Sequence, residues 1–242
     1  MNREELHKII SGSRLPARVK KYISAFADSG ADSWLRRLLK AAPVSLLANI
    51  SSVMEQAAAN LGLSPEEVLF ATGFHPGNLA PERLEAALAE LLAVNFLARE
   101  GFSSISSVPQ SRSKTADITA ARGGSTYAFE VRCVTRDSGF SAVDFIPDAE
   151  GRIKEAGQKA LPVLEKKYRK KMPQAACSRK KNNLSHCGLI FVVNSSNFAP
   201  FAESEGLTEL AAALYKKVGS PERQHLCLLS GGETGVFPAW KV

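Results

Sequence analysis

Apolar residues recur at three- and four-residue spacings through the first 78 residues, and this pattern predicts helices. We expect four of them, over residues 2–10, 16–27, 33–42 and 44–61, separated by Gly, Ser, Asp and Pro. The sequence therefore predicts an all-helical N-terminal region over residues 1–78.

Residues 57–69 within this region resemble a helix-turn-helix. Ala58 permits close helix approach, Gly62 makes the turn, and Val68 packs the second helix inward. Ser64 and Glu67 form a capping box for that helix. Because the second helix carries two glutamates and no basic residue, a packing or docking corner is favoured over contact with DNA.

The pattern changes beyond a linker at residues 73–81. One largely buried helix is predicted over 81–99, and further helices over 152–171 and 208–218. Strands are predicted at 102–108, on both sides of Gly123–Gly124, at 188–194 and at 225–229. The order helix, three strands, helix, strand, helix, strand predicts a mixed α/β domain over residues 79–242, with a sheet flanked by helices.

The second of these helices contains Pro162, which predicts a kink or break near Leu161. Basic residues over 166–171 and 178–181 then predict a surface loop.

Two alternating segments beside Gly123–Gly124 predict a β-hairpin, because glycine takes the positive φ that a two-residue turn requires. In that register Asp117 lies directly opposite Glu130, and Arg132 shares their face of the sheet. The other face is predicted to join the core through Ala116, Ile118, Ala120, Tyr127, Phe129, Val131 and Cys133.

The formal net charge of +7 is unevenly placed. Residues 1–100 carry 11 basic and 11 acidic side chains, whereas residues 152–181 carry 11 basic and only 2 acidic ones. This concentration favours a polyanion partner, nucleic acid first, over a basic solvated helix and loop. A charged N-terminus and the lack of an apolar run of about 20 residues predict a cytoplasmic protein without a membrane partner.

Two carboxylates that face each other across a hairpin lie roughly 5 Å apart at Cβ and repel. Arg132 can offset part of that repulsion, and a divalent metal can offset more of it, since oxygen ligands suit Mg²⁺. The alternative is a solvated hairpin face whose charges do not meet.

Three acids in this order resemble the restriction-endonuclease-like superfamily of metal-dependent nucleases, known by its PD-(D/E)xK motif. Asp117 matches the metal-binding aspartate, and residues 130–132 match the (D/E)xK tripeptide. Glu90 lies on a helix that resembles the family's first helix, and Gln158 matches a glutamine of some branches. The resemblance covers about residues 81–194. It implies a Mg²⁺ (or Mn²⁺) site made by Asp117, Glu130, the Val131 carbonyl and Glu90.

The chain departs from this motif at Arg132, where the family has lysine. Arginine stays protonated in proteins and cannot act as a base, although it can bind phosphate. Lys154 on the following helix is the best replacement, and Lys114 is a weaker one. Otherwise Arg132 acts only through its charge, or catalysis is lost.

The resemblance thus implies a nuclease that hydrolyses phosphodiester bonds in DNA rather than RNA, and dimers are common in the family. Two alternatives remain, a nuclease-like protein that binds nucleic acid without cleaving it and a protein-interaction module that docks through its N-terminal helices. Candidate nucleic-acid-binding residues are Lys166, Lys167, Arg169, Lys170, Lys171, Arg179, Lys180 and Lys181.

Overall fold

The computed structural model describes residues 1–30, 33–108, 115–134, 154–193 and 204–240, and within them the protein is an α/β structure with eight helices and one six-stranded sheet. The helices are α1 (Arg3–Gly12), α2 (Ala17–Asp28), α3 (Trp34–Ala41), α4 (Pro43–Leu61), α5 (Pro65–Ala71), α6 (Pro81–Arg99), α7 (Lys154–Lys181) and α8 (Ser204–Lys217). The strands are β1 (Ser103–Ser107), β2 (Ile118–Arg122), β3 (Ser125–Val134), β4 (His186–Val193), β5 (Gln224–Ser230) and β6 (Glu233–Phe237).

The sheet follows chain order, β1 to β6, and is mixed. Strands β1, β2 and β3 form an antiparallel meander, β3, β4 and β5 are parallel, and β6 returns antiparallel to β5. Helices α7 and α8 make the two parallel crossovers. The predicted α/β class is therefore confirmed. Strand β6 was not predicted from the sequence.

The predicted hairpin is confirmed with its register. Gly123 and Gly124 have φ values of 55° and 74°, as a two-residue turn with two left-handed residues requires. Arg122 pairs with Ser125 and Ile118 pairs with Phe129. The pairing ends at Ile118, and the N–H of Asp117 donates to the Phe129 carbonyl, so Asp117 does not take its predicted position directly opposite Glu130 on the same face of the sheet.

Two apolar layers cover the sheet. One face packs against α6 and, behind it, the N-terminal helices, so that one core extends from Leu6 on α1 to Leu229 on β5. The other face packs against α7 and α8. The corner between α4 and α5 follows the predicted pattern, with Gly62 in the left-handed conformation and Val68 fully buried.

Helix α7 differs from the prediction, because it continues without a loop to Lys181 and contains both Pro162 and Pro173. Both prolines are exposed, so their rings lie on the solvent side. The inward side chains keep helical spacing and are buried against the sheet, namely Ala160, Leu164, Tyr168, Met172 and Ala175. This packing offsets the lost backbone hydrogen bonds, and the basic residues expected on a loop therefore lie on a helix.

Ala116 was also predicted on the wrong face. It packs with Ala128 and Val134 beneath α7, whereas Ile118 packs toward α6. Strand β2 begins only at Ile118, so strict alternation does not extend back to residue 116. Among the helices that the structure describes, none is long and apolar enough to cross a membrane.

We predict that Gly235→Ala lowers the free energy of unfolding by about 3 kcal/mol or more, because backbone atoms cannot move aside as a side chain can. A Cβ added at Gly235 of β6 would lie 2.2 Å from the backbone carbon of Leu207 on α8. Denaturant unfolding measures the effect. Gly12→Ala is the matched control, since a Cβ there meets nothing within 4 Å. Equal stability of the two variants would contradict the close approach of α8 to β6.

Candidate active site

Asp117 lies where β2 separates from β3. Its backbone N–H donates to the Phe129 carbonyl at 2.9 Å, and its carboxylate Oδ2 accepts the Val131 N–H at 2.7 Å. The side chain thus occupies the edge position on β3 that the backbone of a longer β2 would occupy. The N–H and C=O of one strand residue point to the same edge, so the Val131 carbonyl faces this position too.

Glu130 lies on β3 and points toward α7. Its side chain is 1% exposed, and Oε1 accepts a hydrogen bond from Lys171 Nζ at 2.5 Å. Oε2 is buried and has no hydrogen-bond partner within the described part of the chain. A buried polar atom without a partner costs free energy, so this oxygen is a candidate ligand atom.

Glu90 approaches from α6, which packs on the opposite face of the sheet. The carboxyl group is half-buried and borders a cavity of about 90 Å³ between α6 and the segment before it. Thr72, His75 and Arg83 also line this cavity. Glu90 is therefore joined to solvent by a small polar cleft.

The three carboxyl groups are coupled electrostatically. Burial raises the pKa of Glu90 well above its ordinary value, and the charges of Asp117 and Glu130 raise it further. Burial also raises the pKa of Asp117, against the hydrogen bond from Val131 and the nearby cations. Burial and then the charge of Asp117 raise the pKa of Glu130 to about 7, although Lys171 opposes the shift. Keeping all three carboxyl groups ionised therefore costs free energy.

Two cations on different elements act on these acids. Lys171 contacts Glu130 directly and lowers the pKa of Glu90 through its charge. Arg132 is exposed on β3, and its charge lowers the pKa of both Asp117 and Glu130. Glu90, Asp117 and Glu130 therefore interact electrostatically with one another and with these two cations, without direct contact among the three carboxyl groups being part of the arrangement.

The other predicted residues are placed less directly. Lys154 begins α7 and Gln158 follows in its second turn, but their side chains lie outside the described part of the structure, as does Lys114. The remaining basic residues of the predicted set lie along α7, where Lys166, Lys170, Lys180 and Lys181 are exposed. Arg169 bonds to Glu165, which also contacts Lys217.

Sequence reasoning placed Lys171 in a basic surface loop and missed its contact with Glu130. The available signal was the apolar periodicity beyond Pro162. Leu164, Tyr168 and Met172 mark an inward stripe, and Lys171 lies directly beside it.

Comparisons with known proteins leave the family open: no family model, curated protein or solved structure matches this chain. In the part of the chain that the structure describes, no three His, Cys, Asp or Glu side chains are grouped closely enough to form a ready metal site. Lys171 and the Val131 N–H each occupy one carboxylate oxygen of the acids that would contribute.

We predict that the free energy of unfolding falls as pH rises from about 4.5 to about 7. Glu130 has a raised pKa in the folded state, so the folded protein binds more protons than the unfolded chain across this window. The shift corresponds to no more than about 3 kcal/mol for this group. Denaturant unfolding at a series of pH values measures it, and Glu130→Gln should make the fall less steep.

Glu165→Gln is the control for this series. The hydrogen bond from Arg169 lowers the pKa of Glu165, so its contribution is present above the ordinary value and is lost as pH falls. The same slope in the native protein and in Glu130→Gln would contradict the raised pKa of Glu130.

Proposed function

We propose that this protein is a metal-dependent nuclease that hydrolyses phosphodiester bonds in DNA. The observation that carries the proposal is the electrostatic coupling of Glu90 on α6, Glu130 on β3 and Asp117 just before β2, where burial raises the pKa of all three. Structural carboxylates are more often paired or solvated, whereas perturbed groups that converge beside a cleft mark functional sites.

The chemistry of these donors suits Mg²⁺ or Mn²⁺, which take oxygen ligands. Asp117, Glu130 with its unpartnered Oε2, and the Val131 carbonyl would hold the ion, and Glu90 would bind it or its waters from α6. A bound divalent ion supplies a more acidic water and stabilises charge on the phosphoryl oxygens. Glu130 would exchange its contact with Lys171 for that ion.

Lys171 supplies the lysine that the motif itself lacks. Its ammonium group lies beside Glu130 and, once released from that carboxylate, can bind a phosphoryl oxygen or orient a water. Arg132 is then left to bind phosphate through its guanidinium group.

A second candidate function is nucleic-acid binding without cleavage. The contact between Lys171 and Glu130 favours it, because an internal cation already neutralises the most buried acid. In that case the basic side chains of α7 would bind the polyanion, and binding would persist in EDTA and weaken with salt.

We predict cleavage of plasmid or single-stranded DNA in Mg²⁺ or Mn²⁺, and a fall of at least about a hundredfold in Asp117→Asn and in Glu130→Gln. Both changes remove a ligand charge at nearly constant shape. Mg²⁺ should also raise the thermal midpoint of the native protein but not of Asp117→Asn, because only the former binds it. Matched RNA substrates determine which nucleic acid is preferred.

Glu165→Gln is the control, since Glu165 lies on α7 and pairs away from the site. Equal cleavage by the native protein and Asp117→Asn would show a contaminant and would end the nuclease proposal. DNA binding without metal-dependent cleavage would instead support the second candidate.

Substitutions of Lys171 and of Arg132 should affect different steady-state kinetic constants. We expect Lys171→Met to lower kcat roughly a hundredfold, as loss of a group that stabilises charge in the transition state does. Arg132→Gln should chiefly raise KM, because it removes a phosphate contact. The reverse result, with kcat lost only in Arg132→Gln, would assign the chemistry to the arginine.

A further inference from the structure

Helix α7 and strand β3 run in opposite directions, and one contact fixes their register. Strands β3 and β4 are parallel and α7 connects them, so the helix returns antiparallel to both strands. Lys171 contacts Glu130, which sets these two residues side by side. Two residues along β3 cover about 6.6 Å, and four residues back along α7 cover about 6 Å. Lys167 therefore lies across from Arg132.

These two cations repel each other. Within the described part of the chain, neither Arg132 nor Lys167 has a hydrogen-bond or ion-pair partner. Among the described acids, Glu130 bonds to Lys171, Glu165 bonds to Arg169 and Lys217, and Asp117 accepts a hydrogen bond from Val131. Arg132 acts on Asp117 and Glu130 only through its charge.

The pKa of Lys167 is consistent with this placement. Burial lowers it first, and the charge of Arg132 lowers it next. Cys133 raises it by a smaller amount, and Lys170 and Lys166 add still smaller lowering effects. A half-buried lysine that faces an arginine, and that has no ion-pair partner of its own among the described residues, is unfavourable in the free protein. A bound anion would remove that cost.

We propose that Arg132 and Lys167 form a phosphate-binding subsite, one step along the nucleic-acid strand from the phosphate that is hydrolysed beside Glu130. The inference rests on the proposed function for the identity of the ligand, but the subsite can bind whether or not the protein cleaves. Arginine offers a planar pair of donors that matches phosphate, and lysine adds a point charge.

The spacing indicates why the ligand is a polynucleotide strand. The subsite lies about 6 Å from the contact between Glu130 and Lys171. A ligand that fills both positions must therefore carry two anionic groups in series along one chain, as consecutive phosphodiesters do. A single phosphate can fill only one of them.

The first test measures binding of the full chain to a labelled single-stranded DNA of about 20 nucleotides in EDTA, at several salt concentrations. Arg132→Gln and Lys167→Gln should each weaken binding and each reduce the slope of log affinity against log salt by about one. Lys21→Gln is the matched control, because Lys21 is exposed on α2, far along the chain in the N-terminal region. Slopes equal to the control in both variants would overturn the subsite.

The second test is Lys167→Glu, which replaces repulsion with attraction toward Arg132. We expect a higher thermal midpoint than in the native protein, together with weaker DNA binding than in Lys167→Gln. A merely structural lysine would give the opposite change in stability. Weaker binding with a lowered midpoint would therefore overturn the pairing of Lys167 with Arg132.

These results separate the subsite from the nuclease proposal. If the native protein binds DNA with the expected slopes but never cleaves it in Mg²⁺ or Mn²⁺, the subsite stands and the nuclease proposal fails. If it cleaves DNA but Arg132→Gln and Lys167→Gln match Lys21→Gln in both affinity and slope, the nuclease proposal stands and the subsite fails.

Discussion

The contact between Glu130 and Lys171 is the constraint on which the rest of the site depends. A carboxylate in the middle of a six-stranded sheet, 1% exposed, loses almost all of its hydration, and a single ammonium group compensates only one of its oxygens. That same contact joins α7 to β3 and fixes which turn of the helix faces which residue of the strand. The positions of the α7 lysines relative to the residues of β3 follow from this one pair.

The late start of β2 leaves space beside β3. Because β2 begins at Ile118, the edge of β3 beyond Phe129 is left for the carboxylate of Asp117 instead of backbone. Charged side chains on both faces then act on one another across this part of the sheet, with Glu90 on α6 and Lys171 on α7. Each acid raises the pKa of a neighbour or has its own pKa raised by burial, so the site stores electrostatic free energy that a bound cation would release.

The hairpin could be predicted from sequence because its determinants are local. Two glycines set the turn, and period-two alternation then fixes every pair as far as Ile118 and Phe129. The length of α7 could not be predicted in this way, since Pro162 and Pro173 are local signals for a break and only packing against the sheet overrides them. Lys171 was misplaced for that reason: its partner is 41 residues away, and no local pattern links the two.

This outcome changes the meaning of Arg132. In the linear motif that this chain resembles, lysine is usual at the position of Arg132, so the arginine looks like the loss of a catalytic group. In space, the ammonium group beside Glu130 comes from α7, and the arginine two residues along β3 meets a second lysine from the same helix. A strand repeat of two residues and a helix repeat of four cover nearly the same distance, so each cation on the helix is matched to a position on the strand. Such a site requires a positive charge at a given position, and a side chain from either the strand or the helix can supply it. Under the proposed subsite, Arg132 belongs to a second anion position, and its role there differs from that of the lysine in the motif.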